Sequence, residues 1–217
     1  MTRTLLLDLD GTLVDSVPDL TAALNRLMAA RGLAAFSRPE VTAMVGDGAA
    51  VLLERAFAAR GVQQDDAALE AFVVDYTANT AVETRPFPGV IAGLDALTAA
   101  GWRLAVCTNK PEAAARALLA ALGIDHYFAA VGGGDTFPVR KPDPAHLTAT
   151  LQAAGGDLGR ALMSGDHHND VAAAQGAGVK CIFAAWGYGT AAMGAEAEAV
   201  AGDFAEMVRI AGAMLPR

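Results

Sequence analysis

The sequence predicts an α/β protein with a doubly wound, Rossmann-like parallel sheet as its core and an inserted cap domain of four helices. Three observations support this fold class: short apolar runs, longer helical patterns between these runs, and one block that contains helical patterns alone. Alternating strands and helices are typical of parallel sheets covered by helices on both faces. A chain of 217 residues that is 53% hydrophobic and 18% charged can bury a sizeable core.

Five apolar runs are the predicted strands of the sheet. Most of them lack polar alternation, as expected when both faces of a strand are buried. The helical patterns between them end at glycine, and Pro111 and Pro144 occupy first-turn positions. An alanine- and glycine-rich stretch, residues 189–202, is expected to form a loose surface loop and helix. The predicted strands cover residues 4–9, 103–108, 128–133, 161–166 and 180–185.

The inserted block begins just after the first strand and contains four helical patterns without a convincing strand. Ser37 and Glu40 form a capping-box pattern where its second helix begins. We therefore assign residues 1–15 and 86–217 to the α/β core and residues 16–85 to the helical cap. Because both connections to the block lie beside the end of the first strand, the cap can act as a lid there.

Charge and composition exclude several classes of protein. A net charge of -8 argues against a nucleic-acid partner, which would require a basic face. Cys107 and Cys181 lie in apolar runs and are expected to be buried thiols in a reducing compartment. The apolar run at the N-terminus stops at Asp8, too early for a signal peptide, and no apolar stretch reaches membrane-spanning length. These features predict a cytoplasmic protein without a membrane partner.

Acidic and other polar residues follow four of the predicted strands. In open α/β sheets, ligands bind outside the carboxyl ends of the strands, so these side chains are expected to meet at one edge. In chain order, the candidate residues at this edge are Asp8, Asp10, Thr108, Lys141, Asp166 and Asp170.

This set of side chains fits phosphoryl transfer assisted by a metal ion. Crowded carboxylates repel one another unless a cation neutralises them, and an all-oxygen site suits Mg²⁺ together with a substrate phosphate. One carboxylate can attack as a nucleophile while a second, two residues further on, transfers protons. Thr108 and Lys141 can hold the non-bridging oxygens of the transferred group. The expected partner is a small phosphorylated metabolite.

Four short motifs resemble those of the haloacid dehalogenase superfamily, in the same order along the chain: "DLDGTLVDS", "TNK", "KP" and "GDHHND". The helical insert matches the position of the cap in members of this superfamily. Three longer segments, residues 45–57, 79–90 and 132–144, are similar to bacterial phosphoglycolate phosphatases. The resemblance extends along the chain to about Gly189.

The resemblance implies a role for each acid at the strand ends. Asp8 would be the nucleophile that forms an aspartyl-phosphate, and Asp10 would protonate the leaving alkoxide and then activate water. Mg²⁺ would be held by the Asp8 carboxylate, the Asp10 backbone carbonyl and Asp166. Asp170 would complete this metal site by orienting Lys141 or a metal-bound water.

Candidate substrate-binding residues occur in both parts of the chain. The resemblance implies that Asn109 grips the phosphate. In the cap, "GDG" begins a helix, and free N–H groups at Gly46 and Gly48 can receive a small carboxylate with help from Arg55. An ordinary turn between helices is the other interpretation of this segment.

Three further residues beside the motifs are expected to have lesser roles. Lys110 is expected at the surface, at the start of a helix. His167 and His168 depart from the Ser-Arg-like residues that members of the family commonly carry, and adjacent residues seldom bind one ion. We therefore expect this pair to lie in a loop at the edge of the substrate site.

The sequence thus predicts a Mg²⁺-dependent phosphomonoester hydrolase, with 2-phosphoglycolate as the favoured substrate. The alternatives are hydrolysis of another small phosphorylated acid or of a sugar phosphate, or a phosphosugar mutase. A dehalogenase would not require Asp10, and a phosphonatase would require a lysine in the cap, where the sequence has none. A receiver domain would lack a helical insert of this length.

Overall fold

The predicted strands form a parallel sheet in a computed structural model, which describes residues 2–217. Each of them is present, and each ends one or two residues earlier than predicted, because the chain turns away from the sheet there. Three shorter strands are additional. In chain order the strands are β1 (Thr4–Leu7), β2 (Val14–Asp15), β3 (Arg85–Pro86), β4 (Arg103–Cys107), β5 (Phe128–Gly132), β6 (Ala161–Gly165), β7 (Lys180–Ala184) and β8 (Ala199–Ala201).

Most of the helices follow the predicted helical patterns, whereas the last two in the chain were not predicted. They are α1 (Val17–Ala29), α2 (Arg38–Thr42), α3 (Ala49–Ala59), α4 (Ala68–Ala78), α5 (Val90–Ala99), α6 (Glu112–Ala121), α7 (Pro144–Ala153), α8 (His168–Gly176) and α9 (Phe204–Met214). Pro144 is the first residue of α7, as predicted, whereas Pro111 immediately precedes α6. Gly101 and Gly123 lie just beyond α5 and α6 with positive φ values, the left-handed conformation that ends a helix and favours glycine.

The main sheet has the strand order β5-β4-β1-β6-β7-β8, and all its neighbouring strands are parallel. The central strand β1 pairs Leu7 with Val106 of β4 on one side and with Ser164 of β6 on the other. The chain adds β4 and β5 on one side of β1 and then crosses over to add β6, β7 and β8 on the other. Open α/β sheets bind ligands at the point where the strand order reverses in this way. Residues that follow β1, β4 and β6 therefore meet at one place.

Both faces of β1 are buried, which explains its lack of polar alternation. Leu5 and Leu7 pack into a core formed with α5, α6 and α9, whereas Leu6 packs into a second core formed with α7 and α8. Burial of each such side chain contributes about 1.5–3 kcal/mol to stability. The predicted α/β fold class is confirmed.

The prediction of a loose loop and helix at residues 189–202 is corrected by the structure. After a short 3-10 turn at Ala191–Gly194, β8 pairs with β7 as an edge strand. Val200 is exposed on this strand, and Ala201 packs into the core with α9. Alanine has low strand propensity, and a strand of three residues with alanine on both sides of a single valine gives little strand signal in the sequence.

Helices α1–α4 lie between β2 and β3 along the chain and share a core of their own. Their buried apolar side chains form one cluster together with Ala114 of α6. The capping box of Ser37 and Glu40 is present at the start of α2. β2 and β3 pair in antiparallel fashion, with Val14 opposite Pro86. The two connections to these helices therefore run side by side.

Cys107 and Cys181 are buried free thiols, as their positions in apolar runs predict. Both belong to the same core as Leu6. Among residues 2–217, no helix combines the length and the hydropathy that crossing a bilayer requires.

Candidate active site

Asp8 lies directly after β1, where the central strand ends. Its Oδ1 atom accepts a hydrogen bond from the N–H of Leu9 at 2.7 Å and lies 3.0 Å from Nζ of Lys141. Burial raises the pKa of Asp8 to about 6, although the Lys141 ammonium acts in the opposite direction. The residue also lines a cavity. A carboxylate held in this way is suited to attack a bound electrophile.

Lys141 is 2% exposed and contacts three oxygen atoms. Its Nζ atom lies 2.6 Å from Oδ1 of Asp170, 3.0 Å from Oδ1 of Asp8 and 2.6 Å from the backbone carbonyl of Cys107. Burial lowers the pKa of Lys141, but Asp170 and Asp8 outweigh burial and raise this pKa above its ordinary value. The ammonium therefore stays charged between the two acids. Its contact with Asp170 agrees with the expectation that Asp170 orients it.

Asp166 follows β6 and is held at both carboxylate oxygens. The Thr12 hydroxyl donates to Oδ1 at 2.8 Å, and the N–H of Tyr188 donates to Oδ2 at 2.8 Å. Burial, followed by the charges of Asp8 and Asp170, raises the pKa of Asp166 to about 7. The hydrogen bonds fix the position of the carboxylate. The repulsion between Asp166 and the charges of Asp8 and Asp170 favours a proton or a cation bound beside it.

Asp8, Asp166 and Asp170 form a buried acid cluster whose ligand atoms all lie within 4.8 Å of one another. Lys141 contacts two of the three acids. When ionised, three carboxylates and one ammonium leave two negative charges unbalanced, which matches a divalent cation. The donor atoms of the cluster are all oxygens, the ligands that Mg²⁺ prefers. The cluster therefore fits a divalent metal ion.

The carboxylate of Asp10 pairs with Lys110, a residue expected at the surface. That expectation is wrong: Lys110 is 5% exposed, and its Nζ atom lies 3.0 and 3.2 Å from the two carboxylate oxygens of Asp10. Nζ also donates a hydrogen bond to the hydroxyl of Tyr76 on α4. Burial lowers the pKa of Lys110, but Asp10 and Tyr76 outweigh burial and raise it. The Asp10 side chain is thus outside the acid cluster, which leaves its backbone carbonyl as the predicted metal ligand.

Thr108 and Asn109 follow β4 at the same edge of the sheet. Thr108 is buried and lines the cavity beside Asp8, where its hydroxyl can meet a phosphate. The side-chain amide of Asn109 donates to the backbone carbonyls of Lys141 at 3.0 Å and Gly46 at 3.1 Å. Both N–H bonds of this amide are used within the protein, so its contacts differ from the predicted grip on the phosphate.

The segment Gly46–Gly48 contacts the α/β core closely. The Gly46 carbonyl accepts hydrogen bonds from Asn109 and Asn169, and a Cβ atom at Gly46 would lie 2.6 Å from the His167 ring. Glycine is thus required here by close approach, as well as by a φ of 120°. The segment thus contacts the core through the Gly46 carbonyl, which accepts hydrogen bonds. The prediction concerned its N–H groups, which were expected to bind a carboxylate of the substrate.

Arg55 is engaged by two acceptors in the segment between α2 and α3. It lies 2.6 Å from Asp47 and donates to the backbone carbonyl of Met44 at 3.0 Å, while Asp47 also accepts from Asn169 at 2.7 Å. Arg55 lines a second cleft, of about 780 Å³, that also reaches Asp8. Its charge is therefore near the site but already balanced by Asp47.

His167 and His168 line that second cleft, but they do not lie in a loop as expected, because His167 caps α8 and His168 is its first residue. Nδ1 of His167 accepts a long hydrogen bond, 3.4 Å, from the N–H of Asn169 at the start of α8. Burial and then His168 lower the pKa of His167 to about 4. The ligand atoms of both histidines lie within 4.8 Å of Asp47, which is already paired with Arg55.

Two tyrosines make contacts that no motif indicated. The Tyr188 hydroxyl donates to Asp15 at 2.8 Å and accepts from the N–H of Ser16 at 2.7 Å, while its own N–H bonds Asp166. Tyr188 therefore links the acid cluster to Asp15 and Ser16, where the chain passes from β2 into α1. Its position after the last long strand was a usable signal, because that strand also ends at the site edge. Tyr76, in the last turn of α4, gives no signal in the sequence.

A cavity lies between helices α1, α3 and α4 and this edge of the sheet. Charged and polar side chains line the end next to the sheet, and apolar side chains line the helical end, where they exclude water. The lining includes Asp8, Asp10, Thr108 and Lys110 at the first end and Leu20, Leu52 and Phe72 at the second.

A parallel sheet with an acid cluster after its central strand, and with helices inserted after that strand, is the architecture of a hydrolase of the haloacid dehalogenase type. Residues 2–178 match the family model of the haloacid dehalogenase-like hydrolases. The chain belongs to this family.

Within the family, the chain is similar to phosphatases. It is 46% identical over 205 residues to a phosphoglycolate phosphatase of Agrobacterium fabrum, covering 92% of this chain and 88% of that protein. Its structure is similar to a predicted phosphoglycolate phosphatase from Haemophilus somnus, with a TM-score of 0.89, 32% identity and coverage of 96% and 97%. It is also similar to a variant of CbbY from Rhodobacter sphaeroides in complex with xylulose-1,5-bisphosphate, with a TM-score of 0.80, 25% identity and coverage of 95% and 96%. The predicted enzyme class is confirmed: the chain is a hydrolase that resembles phosphoglycolate phosphatases.

Proposed function

We propose that this protein hydrolyses small phosphomonoesters through a covalent intermediate on Asp8, with 2-phosphoglycolate as the preferred substrate. The observation that carries the proposal is the buried position of Asp8 after β1, beside Lys141 and at the wall of a cavity. The phosphoglycolate phosphatases among the relatives support the choice of substrate. CbbY with its sugar bisphosphate supports the alternative, a sugar phosphate or another small phosphorylated acid.

In the proposed reaction, Asp8 attacks the phosphorus atom and the bond from phosphorus to the ester oxygen breaks. Asp10 enters this step protonated and gives its proton to the leaving alkoxide. The resulting carboxylate, paired with Lys110, then removes a proton from the water that attacks the aspartyl-phosphate. Thr108 and Lys141 hold the non-bridging oxygens and stabilise the charge that develops on them. Inorganic phosphate leaves, and the Asp8 carboxylate is regenerated.

A divalent metal ion, which we propose to be Mg²⁺, would be held by Asp8, Asp166 and the backbone carbonyl of Asp10, with Asp170 beside them. Bound there, the ion would neutralise the repulsion among the acids and stabilise the charge of the phosphoryl group. Three hydrogen bonds already hold the Asp166 carboxylate in place, so little reorganisation is required of the protein.

We further propose that residues 16–85 act as a cap over the core formed by residues 1–15 and 86–217. The separate apolar core of α1–α4 supports this division. The paired connections at β2 and β3 support it too, because two adjacent strands can act as one hinge. Closure of the cap would exclude water from the cavity during phosphoryl transfer.

The choice of substrate predicts a large preference for an ester that carries a carboxylate. We expect kcat/KM for phosphoglycolate to exceed that for ethyl phosphate by at least about ten- to a hundredfold, because one charge-assisted hydrogen bond contributes about 1.5–3 kcal/mol. Phosphate release from both esters is the measurement. Arg55→Ala should narrow the ratio if Arg55 takes part in binding. A ratio of the two kcat/KM values near one, or a preference for hexose phosphates, would contradict phosphoglycolate as the substrate. Isomerisation of a sugar phosphate without phosphate release would indicate a mutase.

The metal proposal predicts that Mg²⁺ stabilises the fold more at high pH than at low pH. Burial raises the folded-state pKa of Asp8 to about 6 and that of Asp166 to about 7. The unfolded carboxyl groups lose their protons near pH 4, so the metal-free protein loses stability as the pH rises from about 4 to about 7. A bound cation would replace the lost protons. We therefore expect Mg²⁺ to raise the melting temperature more at pH 8 than at pH 5, by about 2–4 °C for each kcal/mol.

Thermal unfolding with and without Mg²⁺ at the two pH values tests this expectation. Asp166→Asn should remove the difference between the pH values, whereas Asp66→Asn, at an exposed acid in the cap, should keep it. Equal shifts at both pH values would contradict a cation in the acid cluster. Activity restored by Zn²⁺ alone after chelation would instead support a metal ion at His167 and His168.

A further inference from the structure

The buried contacts of Lys110 assign it a part in the reaction that the acid cluster does not explain. We propose that Lys110 is a positioning residue, which holds the Asp10 carboxylate for proton transfer and ties it to the cap through Tyr76. The inference rests on the proposed function, in which Asp10 protonates the leaving group.

The geometry around Lys110 restricts where the Asp10 carboxylate can lie. Nζ is 3.0 and 3.2 Å from the two oxygens, so it contacts the carboxylate as a whole. The Lys110 side chain is 3% exposed, and buried charges are screened far less than those at a surface. Rotation of Asp10 away from this contact would leave an ammonium buried without its counter-charge, which is strongly unfavourable. Lys110 therefore holds Asp10 at the wall of the cavity that both residues line.

Tyr76 connects this ion pair to the cap. Its hydroxyl accepts a hydrogen bond from Nζ of Lys110, and its ring centroid lies 4.2 Å from the same atom. The ring stacks on Phe72 within α4, and both side chains are buried in the core of the four helices. Asp10 and Lys110, in contrast, follow β1 and β4. The position of the proton donor thus depends on α4 being seated against the core.

The test compares three esters that differ in their need for a proton and for a carboxylate site. Nitrophenolate leaves 4-nitrophenyl phosphate readily without a proton, whereas phosphoglycolate and ethyl phosphate release alkoxides that require one. Single-turnover rates of enzyme phosphorylation are measured in the presence of Mg²⁺ for the wild type, Lys110→Met and Lys110→Arg. We expect Lys110→Met to slow both alkyl esters by about 10²-fold, and 4-nitrophenyl phosphate by less than about tenfold, as for a misplaced proton donor.

Two further variants and one control complete the design. Lys110→Arg keeps the charge and should recover part of the lost rate on alkyl esters. Tyr76→Phe keeps the ring but loses the hydroxyl, and should give the same pattern with a smaller effect, even if Lys110→Met does not fold. Lys180→Met, at an exposed lysine at the start of β7, should leave all three rates unchanged.

The outcomes separate this inference from its rivals. An equal loss on all three esters would overturn it, because a purely structural lysine would act on every substrate alike. A loss confined to phosphoglycolate would overturn it as well and would make Lys110 a ligand of the substrate carboxylate. If the wild type forms the aspartyl-phosphate, and Lys110→Met and Tyr76→Phe form it at the wild-type rate, the inference about Lys110 is wrong while the proposed function stands. A wild type without any phosphate release would defeat the proposed function.

Discussion

Asp8→Asn is expected to abolish phosphate release while leaving the fold intact. The amide matches the carboxylate in size and can still accept the hydrogen bond of the Leu9 N–H, but it is a far poorer nucleophile. Losses on the order of 10⁶-fold in kcat are the scale reached when the nucleophile of a covalent mechanism is removed. Lys141 keeps its contact with Asp170 in this variant, so its charge remains paired.

The stability of the same variant provides its control. Burial raises the pKa of Asp8 to about 6, so ionisation of this carboxyl group is unfavourable to the metal-free fold at pH 7. A neutral amide should therefore leave the melting temperature of the metal-free protein unchanged or higher. Circular dichroism and thermal unfolding check the fold, and a phosphate-release assay checks the rate. A folded variant with nearly wild-type activity would show that Asp8 is not the nucleophile.

Asp10→Asn should give the second largest effect, a loss of about 10²–10⁴-fold on alkyl esters, the usual contribution of general acid–base catalysis. Asparagine cannot deliver a proton to the alkoxide or remove one from water. Phosphorylation by 4-nitrophenyl phosphate should suffer less, because nitrophenolate leaves without a proton. Single-turnover rates with ethyl phosphate and 4-nitrophenyl phosphate measure the difference. If both rates fall by the same factor, Asp10 does not protonate the leaving group.

The fold could be predicted because its signals are local. Each of the five predicted strands is an apolar run of about six residues, and helices α1–α7 have their own periodicity, most of them with a glycine or proline at one end. Helices α8 and α9 were not predicted. The order of the motifs also indicated which side chains gather after β1, β4 and β6. The strands that escaped prediction, β2, β3 and β8, have two or three residues each and depend on pairing partners rather than on their own composition.

The partners within the site could not be predicted in the same way. Lys110 lies between β4 and α6, and only folding brings it to Asp10 and Tyr76, which are distant in the sequence. The sequence shows that Asn109 has an amide and that Arg55 has a charge. It does not show that the amide already donates a hydrogen bond to Gly46 or that the charge is already paired with Asp47. The contacts of Lys110 with Tyr76 and of Asn109 with Gly46 join the four inserted helices and their connecting segments to the α/β core, and neither part alone contains both partners.

The covalent role of Asp8 is tested most directly by rapid quenching of the Asp10→Asn variant after mixing with 4-nitrophenyl phosphate. Its aspartyl-phosphate should form readily and then break down slowly, because only the second step depends strongly on Asp10 as a base. Mass spectrometry should therefore find one phosphoryl group on the peptide that contains Asp8, together with a burst of nitrophenolate equal to the enzyme concentration. Phosphate that appears in step with nitrophenolate at every time point, while the Asp8 peptide stays unmodified, would contradict the mechanism.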